Sequence, residues 1–426
     1  MPREPLYRSR PVGPDMARFG GQGINDFIAL SEGASNSYLV MTEAGNIQIN
    51  AGMGFEAPVH RRNFAEFSPD KLRYLILTQG HVDHVGGVDY FREHNPGLEV
   101  IAQANNAEHQ AYDARLRDFR VRRSAFAFTD KFAAAFQHYS ENGYTDYPEQ
   151  SVPTADITFS ERHSFTLGGL DVDCIAVAGA ETNDSLVVWL PEQRICFTGN
   201  LFGCPFGHFP NLSTIRGDRY RDALTCAAAV ETVRELEPAL ILYGHHGPVE
   251  GADLIQEELE RLRDAILYVH DETVKGMNAG ADVHSLMRDI RLPPALEVGE
   301  GYGSVPWGVR SIWEHYGGWF HQRATSELYA ASPNDIHADL LELMGGEAAL
   351  VQRAQQKLAE GEALAALQLL EIALSGANPD SGVLQAARAA HQALRKDSNN
   401  FWLDAWLDHQ IARLTERLAA GDATDA

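Results

Sequence analysis

The chain has 426 residues, with 59 Asp and Glu against 35 Lys and Arg, a formal charge of −24. That balance repels polyanions at long range and argues against nucleic acid or an anionic membrane surface as partner, so an anionic substrate has to be held by a local basic patch. No run of about 18 apolar residues predicts a transmembrane helix, and the N-terminal MPREPLYRSRPVGPDM lacks the apolar region of a secretory signal. Cys174, Cys196, Cys204 and Cys226 have no Cys-x-x-Cys spacing and read as reduced, buried thiols, which makes the cytoplasm the expected location.

In chain order, residues 1 to about 250 read as alternating short strands and helices. Strands are predicted at 37–42, 47–50, 72–78, 98–102, 185–190, 195–198 and 239–243, each a β-branched or apolar run closed by turn residues. Residues 105–142 carry apolar and alanine positions at helical spacing. After Gly251 the strand signals thin out and Leu and Ala recur three and four apart. Helices are predicted at 253–276 and 284–291, the second stopped by Pro293-Pro294, and an aromatic-rich segment fills 301–320. Residues 346–396 read as three short antiparallel helices resembling a tetratricopeptide-type hairpin, with a closing helix at 402–418. The expected domains are therefore an α/β domain at 1–251, a helical domain at 252–345 and a helical hairpin region at 346–426.

The chief chemical signal is Leu75-Ile-Leu-Thr-Gln-Gly-His81-Val-Asp83-His84-Val-Gly-Gly87. A buried strand ends at Thr78, and the tight loop after it points imidazoles and a carboxylate outward. Those are the ligand types of zinc, manganese or iron, and an open coordination position leaves room for an activated water. Downstream, Ala239-Leu-Ile-Leu-Tyr-Gly-His245-His246-Gly-Pro repeats the design, an apolar strand with histidine at its end. Val177-Ala-Gly-Ala-Glu181-Thr-Asn-Asp-Ser precedes one apolar strand, and Ile195-Cys-Phe-Thr-Gly-Asn200 is another. Loops at strand carboxyl ends converge on the site in open α/β architectures. Taken alone, Glu181 reads equally well as a solvated loop carboxylate.

These motifs, in this order, resemble the metallo-β-lactamase superfamily and, within it, the alkyl sulfatase family. Gly179-Ala-Glu181 is similar to that family's Gly-Thr-Glu with its metal-binding glutamate. Arg122-Arg123-Ser-Ala-Phe126 is similar to its Arg-Arg-Ala-Ser-Tyr segment. Asn211-Leu-Ser-Thr-Ile-Arg216-Gly217 and Arg221-Asp222-Ala223 are similar to its Asn-Leu-Tyr-Thr-Leu-Arg-Gly and Arg-Asp-Ala. Tyr268-Val-His270-Asp271, the aromatic segment and Leu343-Met-Gly-Gly346 resemble its helical dimerisation domain. The resemblance runs from about residue 20 to 415, and nothing here corresponds to the sterol-carrier-like module that commonly ends the family. It implies a four-layered αββα fold followed by an all-helical domain, and a homodimer through residues 253–345.

The chain departs from the pattern where it matters chemically. Gln79 stands for the superfamily's first histidine, Asn200 for the bridging carboxylate and Asn50 for a turn aspartate. Gly199 stands where the alkyl sulfatases carry a glutamate, and Phe126 replaces an aromatic hydroxyl. Amide oxygens bind transition metals weakly beside imidazole and carboxylate. By superfamily geometry one site would hold Gln79, His81 and Glu181, and the other Asp83, His84 and His246. The second is the complete one, so one tightly held ion is expected there, zinc first and Fe2+ or Mn2+ as alternatives. A single site borrowing His81 and Glu181 with a shared ligand is a variant of the same expectation. The implied activity is hydrolysis of an alkyl sulfate or related ester on a small anionic or amphiphilic substrate. His81 or Glu181 would serve as base, and Asn211, Arg216, Arg221 and Arg122 would hold the anion. Two other readings stand beside it. Two histidines and a carboxylate are also the ligand set of non-haem iron oxygenases, and a degenerate site would leave a non-catalytic ligand-binding protein.

Overall fold

The structure, a computed structural model, describes residues 4–145 and 147–424. The chain divides into two compact units, Met1–Tyr316 and Gly317–Ala426. The first is built on two sheets. One has seven strands in sequential order: β1 (Gln22–Gly23), β2 (Ile28–Ser31), β3 (Ser37–Thr42), β4 (Gly45–Ile49), β5 (Leu72–Ile76), β6 (Glu99–Gln103) and β7 (Ile157–Phe159). It is antiparallel as far as β4 and parallel from β4 to β7. The other has six strands: β8 (Arg162–Leu167), β9 (Leu170–Ala176), β10 (Leu186–Leu190), β11 (Ile195–Gly199), β12 (Leu240–Tyr243) and β13 (Val249–Glu250). Only β11 and β12 pair in parallel there.

Burial follows strand position. The central β10 and β11 are buried at every residue, whereas the edge strand β8 alternates exposed and half-buried positions. The inner faces of the sheets meet through Ile47, Ile49, Ile76 and Ile101 from one side and Val172, Val188, Phe197 and Leu242 from the other. On the outer face of the first sheet, α1 (Ala57–Ala65) and α3 (Val88–His94) bury Phe64, Val88 and Phe91 against Leu75 and Val100. On the outer face of the second, α5 (Ala223–Glu235) and α6 (Ala252–Asn278) bury Val230, Val233, Leu259 and Leu262 against Trp189 and Ile241. The result is the four-layered αββα sandwich expected from the sequence.

The predicted strand at 37–42 coincides with β3, and the other six lie within two residues of their observed ends. The pairs β1–β2 and β8–β9 carry no comparable run in the sequence. The helix predicted at 105–142 is α4 (Asn106–Glu141), about 54 Å of helix that buries only Asn106, His109, Gln110, Ala135 and Tyr139. The tract from 252 does not close a core of its own. Helix α6, α7 (Val283–Asp289) and α8 (Val305–Gly317) share the hydrophobic cluster of the second sheet, so the compact first unit runs on to Tyr316.

The second unit is all helix: α9 (His337–Leu343), α10 (Glu347–Ala359), α11 (Ala363–Leu374), α12 (Ser381–Lys396) and α13 (Phe401–Thr424). Ala354, Ala366, Ala373, Ala386 and Ala387 are buried between them with Leu350, Leu370 and Val383. These small side chains let successive helices approach closely. No described helix is long and apolar enough to cross a membrane.

Two glycines position the loop after β5. The short helix α2 (Val82–Val85) is followed by Gly86 and Gly87. A Cβ on Gly87 would stand 2.4 Å from the Ala51 carbonyl oxygen and 2.7 Å from the Ala57 Cβ. The first of these is backbone and cannot swing aside. Gly87→Ala should therefore cost about 1–3 kcal/mol of unfolding free energy, the usual range for overpacking, measurable as a lowered denaturant midpoint at unchanged slope.

Candidate metal centre

Four loops meet at one edge of the sandwich, following β5, β9, β11 and β12. After β5, His81 caps α2, its carbonyl accepting from the His84 N–H at 2.9 Å. This turns Asp83 and His84 towards the loop after β12. There the structure brings His245, rather than the expected His246, to Asp83 and His84. Ligand atoms of Asp83, His84 and His245 lie within 4.8 Å of one another. The reason is local. Gly244 packs on Gly199, its N–H donating to the Gly199 carbonyl at 2.7 Å, with no room for a Cβ. His245 then faces the site, while His246 adopts a left-handed φ of 61° and turns towards the Gly13 backbone, its Nε2 buried without a partner but outside the cluster formed with Asp83 and His84.

The two imidazoles are prepared alike. His84 Nδ1 lies 3.1 Å from Ser35 Oγ and 3.2 Å from Thr78 Oγ1. The Thr78 hydroxyl donates to Asn50 Oδ1 at 3.0 Å, so it accepts from His84 Nδ1–H and leaves Nε2 with its lone pair. That Nε2 is buried with no hydrogen-bond partner and lies 3.6 Å from Asp83 Oδ2. His245 lies beside the Ala34 backbone and leaves Nδ1 buried without a partner. Asn200, within reach of His84, has an unpartnered buried Oδ1. Buried polar atoms are rarely left unsatisfied, and lone pairs converging beside a carboxylate suit a divalent cation. The donor set fits one ion. Asn50, with φ 61°, serves the site indirectly through Thr78.

His81 and Glu181 lie in an adjoining pocket. His81 Nδ1 is 2.7 Å from the Gln79 amide and 3.9 Å from Glu181 Oε1. His81 Nε2 is 2.9 Å from Arg216 Nη2 and 3.6 Å from Asp218 Oδ2. Arg221 Nη2 lies 2.8 Å from Glu181 Oε1. Of the residues expected to hold an anion, Asn211 is buried with both amide atoms unpartnered, and Arg216 Nε is likewise buried without a partner. Arg122 is not brought to this pocket; it lies exposed on α4, while its neighbour Arg123 donates to the Ile215 carbonyl and braces the Arg216 loop. Sequence reasoning missed His245, the buried unpartnered hydroxyl of Thr214 and the carboxylate of Asp218. The Asn-Leu-Ser-Thr-Ile-Arg motif already contained Thr214, but Asp218 had no signal beyond its charge.

The metallo-beta-lactamase superfamily model matches residues 30–245, and the alkyl sulfatase dimerisation model matches residues 283–407. A linear primary-alkylsulfatase of Pseudomonas sp. is 27% identical over 338 residues, covering 76% of this chain and 63% of that protein. The alkyl/aryl-sulfatase of Saccharomyces cerevisiae is 24% identical over 307 residues, covering 68% of this chain and 47% of that protein. The chain thus spans less than two thirds of the length of these curated relatives. The solved stereoselective inverting sec-alkylsulfatase Pisa1 of Pseudomonas sp. superposes with a TM-score of 0.80 at 18% identity, over 92% of this chain and 65% of that one. The fold is shared with it.

Burial sets the charge states in and behind the site. It pushes the imidazoles of His60, His84 and His245 down to about 3, and those of His208 and His246 to about 4. It pushes the Glu56 and Glu181 carboxyls up to about 7, for Glu181 against the pull of Arg221 and Arg216. A histidine with a depressed pKa stabilises the fold above its unfolded value and loses that contribution as pH falls. The raised carboxyls, among them Asp83, which burial also pushes up, act oppositely, contributing most below their unfolded value. Between pH 6.5 and 4.5 the histidines outnumber the carboxyls, and each unmatched proton is worth about 1.4 kcal/mol per pH unit. The Tm of chelator-treated protein should therefore fall steadily over that window; a flat or rising Tm in calorimetry would contradict these charge states.

Proposed function

Since the chain belongs to the metallo-beta-lactamase superfamily, we propose that it is a metal-dependent hydrolase of alkyl sulfate or related esters. The observation that carries this reading is the triad Asp83, His84 and His245, with a free lone pair on each imidazole, near a second set of buried groups that lack partners. An ion held by the triad would supply an activated water at neutral pH. The rest is done by the chain's own side chains. Asn211, Thr214 and Arg216 present amide, hydroxyl and guanidinium groups suited to an ester's anionic oxygens. Their burial would strengthen each contact and exclude bulk water. Arg216 offers Nε, its Nη2 being engaged with His81.

Glu181 is the better candidate for proton transfer in this reading. Its carboxyl is pushed up to about 7 by burial, so it can hold or give up a proton near neutrality. Both nitrogens of His81 are already engaged, and burial with the adjacent Arg216 charge keeps that ring neutral. The ion is expected to be zinc. The same two-histidine, one-carboxylate set would also hold ferrous iron.

The protein is also proposed to act as a homodimer. The matched dimerisation segment includes Trp319, Leu328, Tyr329, Ile336 and Leu343, which are 55% to 84% exposed in the second unit. Exposed apolar side chains this numerous mark a surface that a second copy would cover.

His245→Ala should lose the bound ion and reduce sulfate release from a medium-chain alkyl sulfate by 100-fold or more, on the order expected when an activated water is lost. His246→Ala should keep the ion. The reverse pattern in elemental analysis would overturn the assignment of the triad, and bound iron with substrate-dependent oxygen uptake would move the reading to oxygen chemistry. In sedimentation velocity the chain should run as a dimer at micromolar concentration, and Tyr329→Asp with Leu343→Glu should convert it to a monomer; a monomeric parent protein would refute the dimer.

A further inference from the structure

The pocket beside the triad does not fit an ion. Gln79, His81 and Glu181 are the groups that would hold one, yet both His81 nitrogens and one Glu181 oxygen already face other side chains. Gln79 occupies His81 Nδ1 at 2.7 Å, and Arg216 Nη2 occupies Nε2 at 2.9 Å. Gln79 Nε2 is the atom set against Nδ1, and Arg216 Nη2 is a donor against Nε2; a neutral imidazole satisfies both contacts once the Gln79 amide is turned over, so that its oxygen accepts from Nδ1–H while Nε2 accepts from Arg216. No lone pair of His81 is then left for coordination. Glu181 Oε1 faces Arg221 Nη2 at 2.8 Å. Placing a divalent cation there means setting it against two guanidinium groups in a buried pocket, where repulsion is poorly screened.

The guanidinium groups are braced from several sides. Arg216 Nη2 lies 3.7 Å from Asp218 Oδ2. Asp218 Oδ1 in turn accepts from Tyr112 and Arg120 of α4, each at 3.0 Å, and from the Arg219 N–H at 2.8 Å. Arg221 Nη1 donates to the Asn211 carbonyl at 2.8 Å, and its side chain is only 6% exposed. Burial works against the Asp218 carboxylate, but the neighbouring Arg221 and Arg216 guanidiniums hold the group well below the usual carboxylate range. With Glu181 ionised, two carboxylates face two guanidiniums and these four groups are neutral without any ion; with Glu181 protonated they carry a net positive charge, which disfavours a cation further. Arg216 is also within electrostatic reach of Asp83, so its charge bears on the triad as well.

We propose that Arg216 and Arg221 stand in the place of a second metal ion, making this a mononuclear centre with a protein-borne positive charge fixed beside it. The inference rests on the metal-hydrolase reading above. It gives Gln79 a purpose: a neutral amide satisfies His81 where a further ligand would serve an absent ion. A guanidinium cannot acidify a bound water, but it donates N–H groups to an anion and cannot be removed by a chelator.

The test is the metal count of the full chain, measured by mass spectrometry after incubation with excess Zn2+ and desalting, together with the stoichiometry of a zinc titration by calorimetry. The wild-type protein is expected to hold one ion per chain in both. Gln79→His alone should also stay at one, because Arg216 still occupies the ring. The double variant Gln79→His with Arg216→Ala, its fold checked by circular dichroism, should approach two. Two ions in the wild type or in Gln79→His alone would overturn the inference and leave the hydrolase reading intact, as would a folded double variant that stays at one. A wild-type chain with no ion at all would remove the metal reading itself and this inference with it.

Discussion

Everything at the site depends on keeping two imidazoles buried with one nitrogen each unsatisfied. An unmet buried polar atom costs about 1–3 kcal/mol, so His84 and His245 would be a standing penalty unless the neighbourhood held them in place. For His84 it does so through bonds to the opposite nitrogen. Ser35 and Thr78 take His84 Nδ1, Asn50 fixes Thr78, and the Ala34 backbone lies beside His245. Three strand-end loops of the first sheet, after β2, β4 and β5, supply these holders, so closing the sheet aligns the ligands.

The second constraint is electrostatic. A chain with a formal charge of −24 does not attract anions by its overall field. Its positive groups at the site are instead concentrated and braced. Arg216 and Arg221 are held by Asp218 and by the Asn211 carbonyl, and α4 reaches across with Arg120 and Arg123. The length of α4 follows from this duty. Near its start His109 and Gln110 pack under the β5 loop, and near its far end the Tyr139 hydroxyl donates to the Ala17 carbonyl. Between those anchors few of its residues are buried, and its polar side chains are free to hold the Arg216 loop.

Much of this is legible in the sequence. Uninterrupted apolar runs such as those at 72–78 and 195–198 predicted central strands because a strand covered on both faces needs nothing polar. The His-x-Asp-His loop and its Gly-Gly predicted a metal site because few other functions need imidazole and carboxylate so close together. The edge strand β8 was not legible, because alternating half-exposed residues such as those of Arg162–Leu167 carry little apolar signal. The end of the first unit was hidden for a related reason. Helical periodicity marks α6 to α8 as amphipathic but does not say which surface their apolar face covers.

The sequence by itself determined the central strands and the strand-end placement of the histidine loops, since these are written in residue type and local pattern; the four layers, and Gln79 and Asn200 as departures from the usual ligands, follow from the family resemblance. Only the tertiary structure decided which member of the His245-His246 pair joins Asp83 and His84. Adjacent residues have identical chemistry, and the choice falls to the backbone turn, in which Gly244 packs on Gly199 and His246 takes a left-handed φ. Tertiary structure alone likewise brought Arg216 onto His81 and Arg221 onto Glu181, partners 135 and 40 residues apart in the chain. No spacing rule encodes such contacts, because they exist only once two sheets and a long helix have closed around the same pocket.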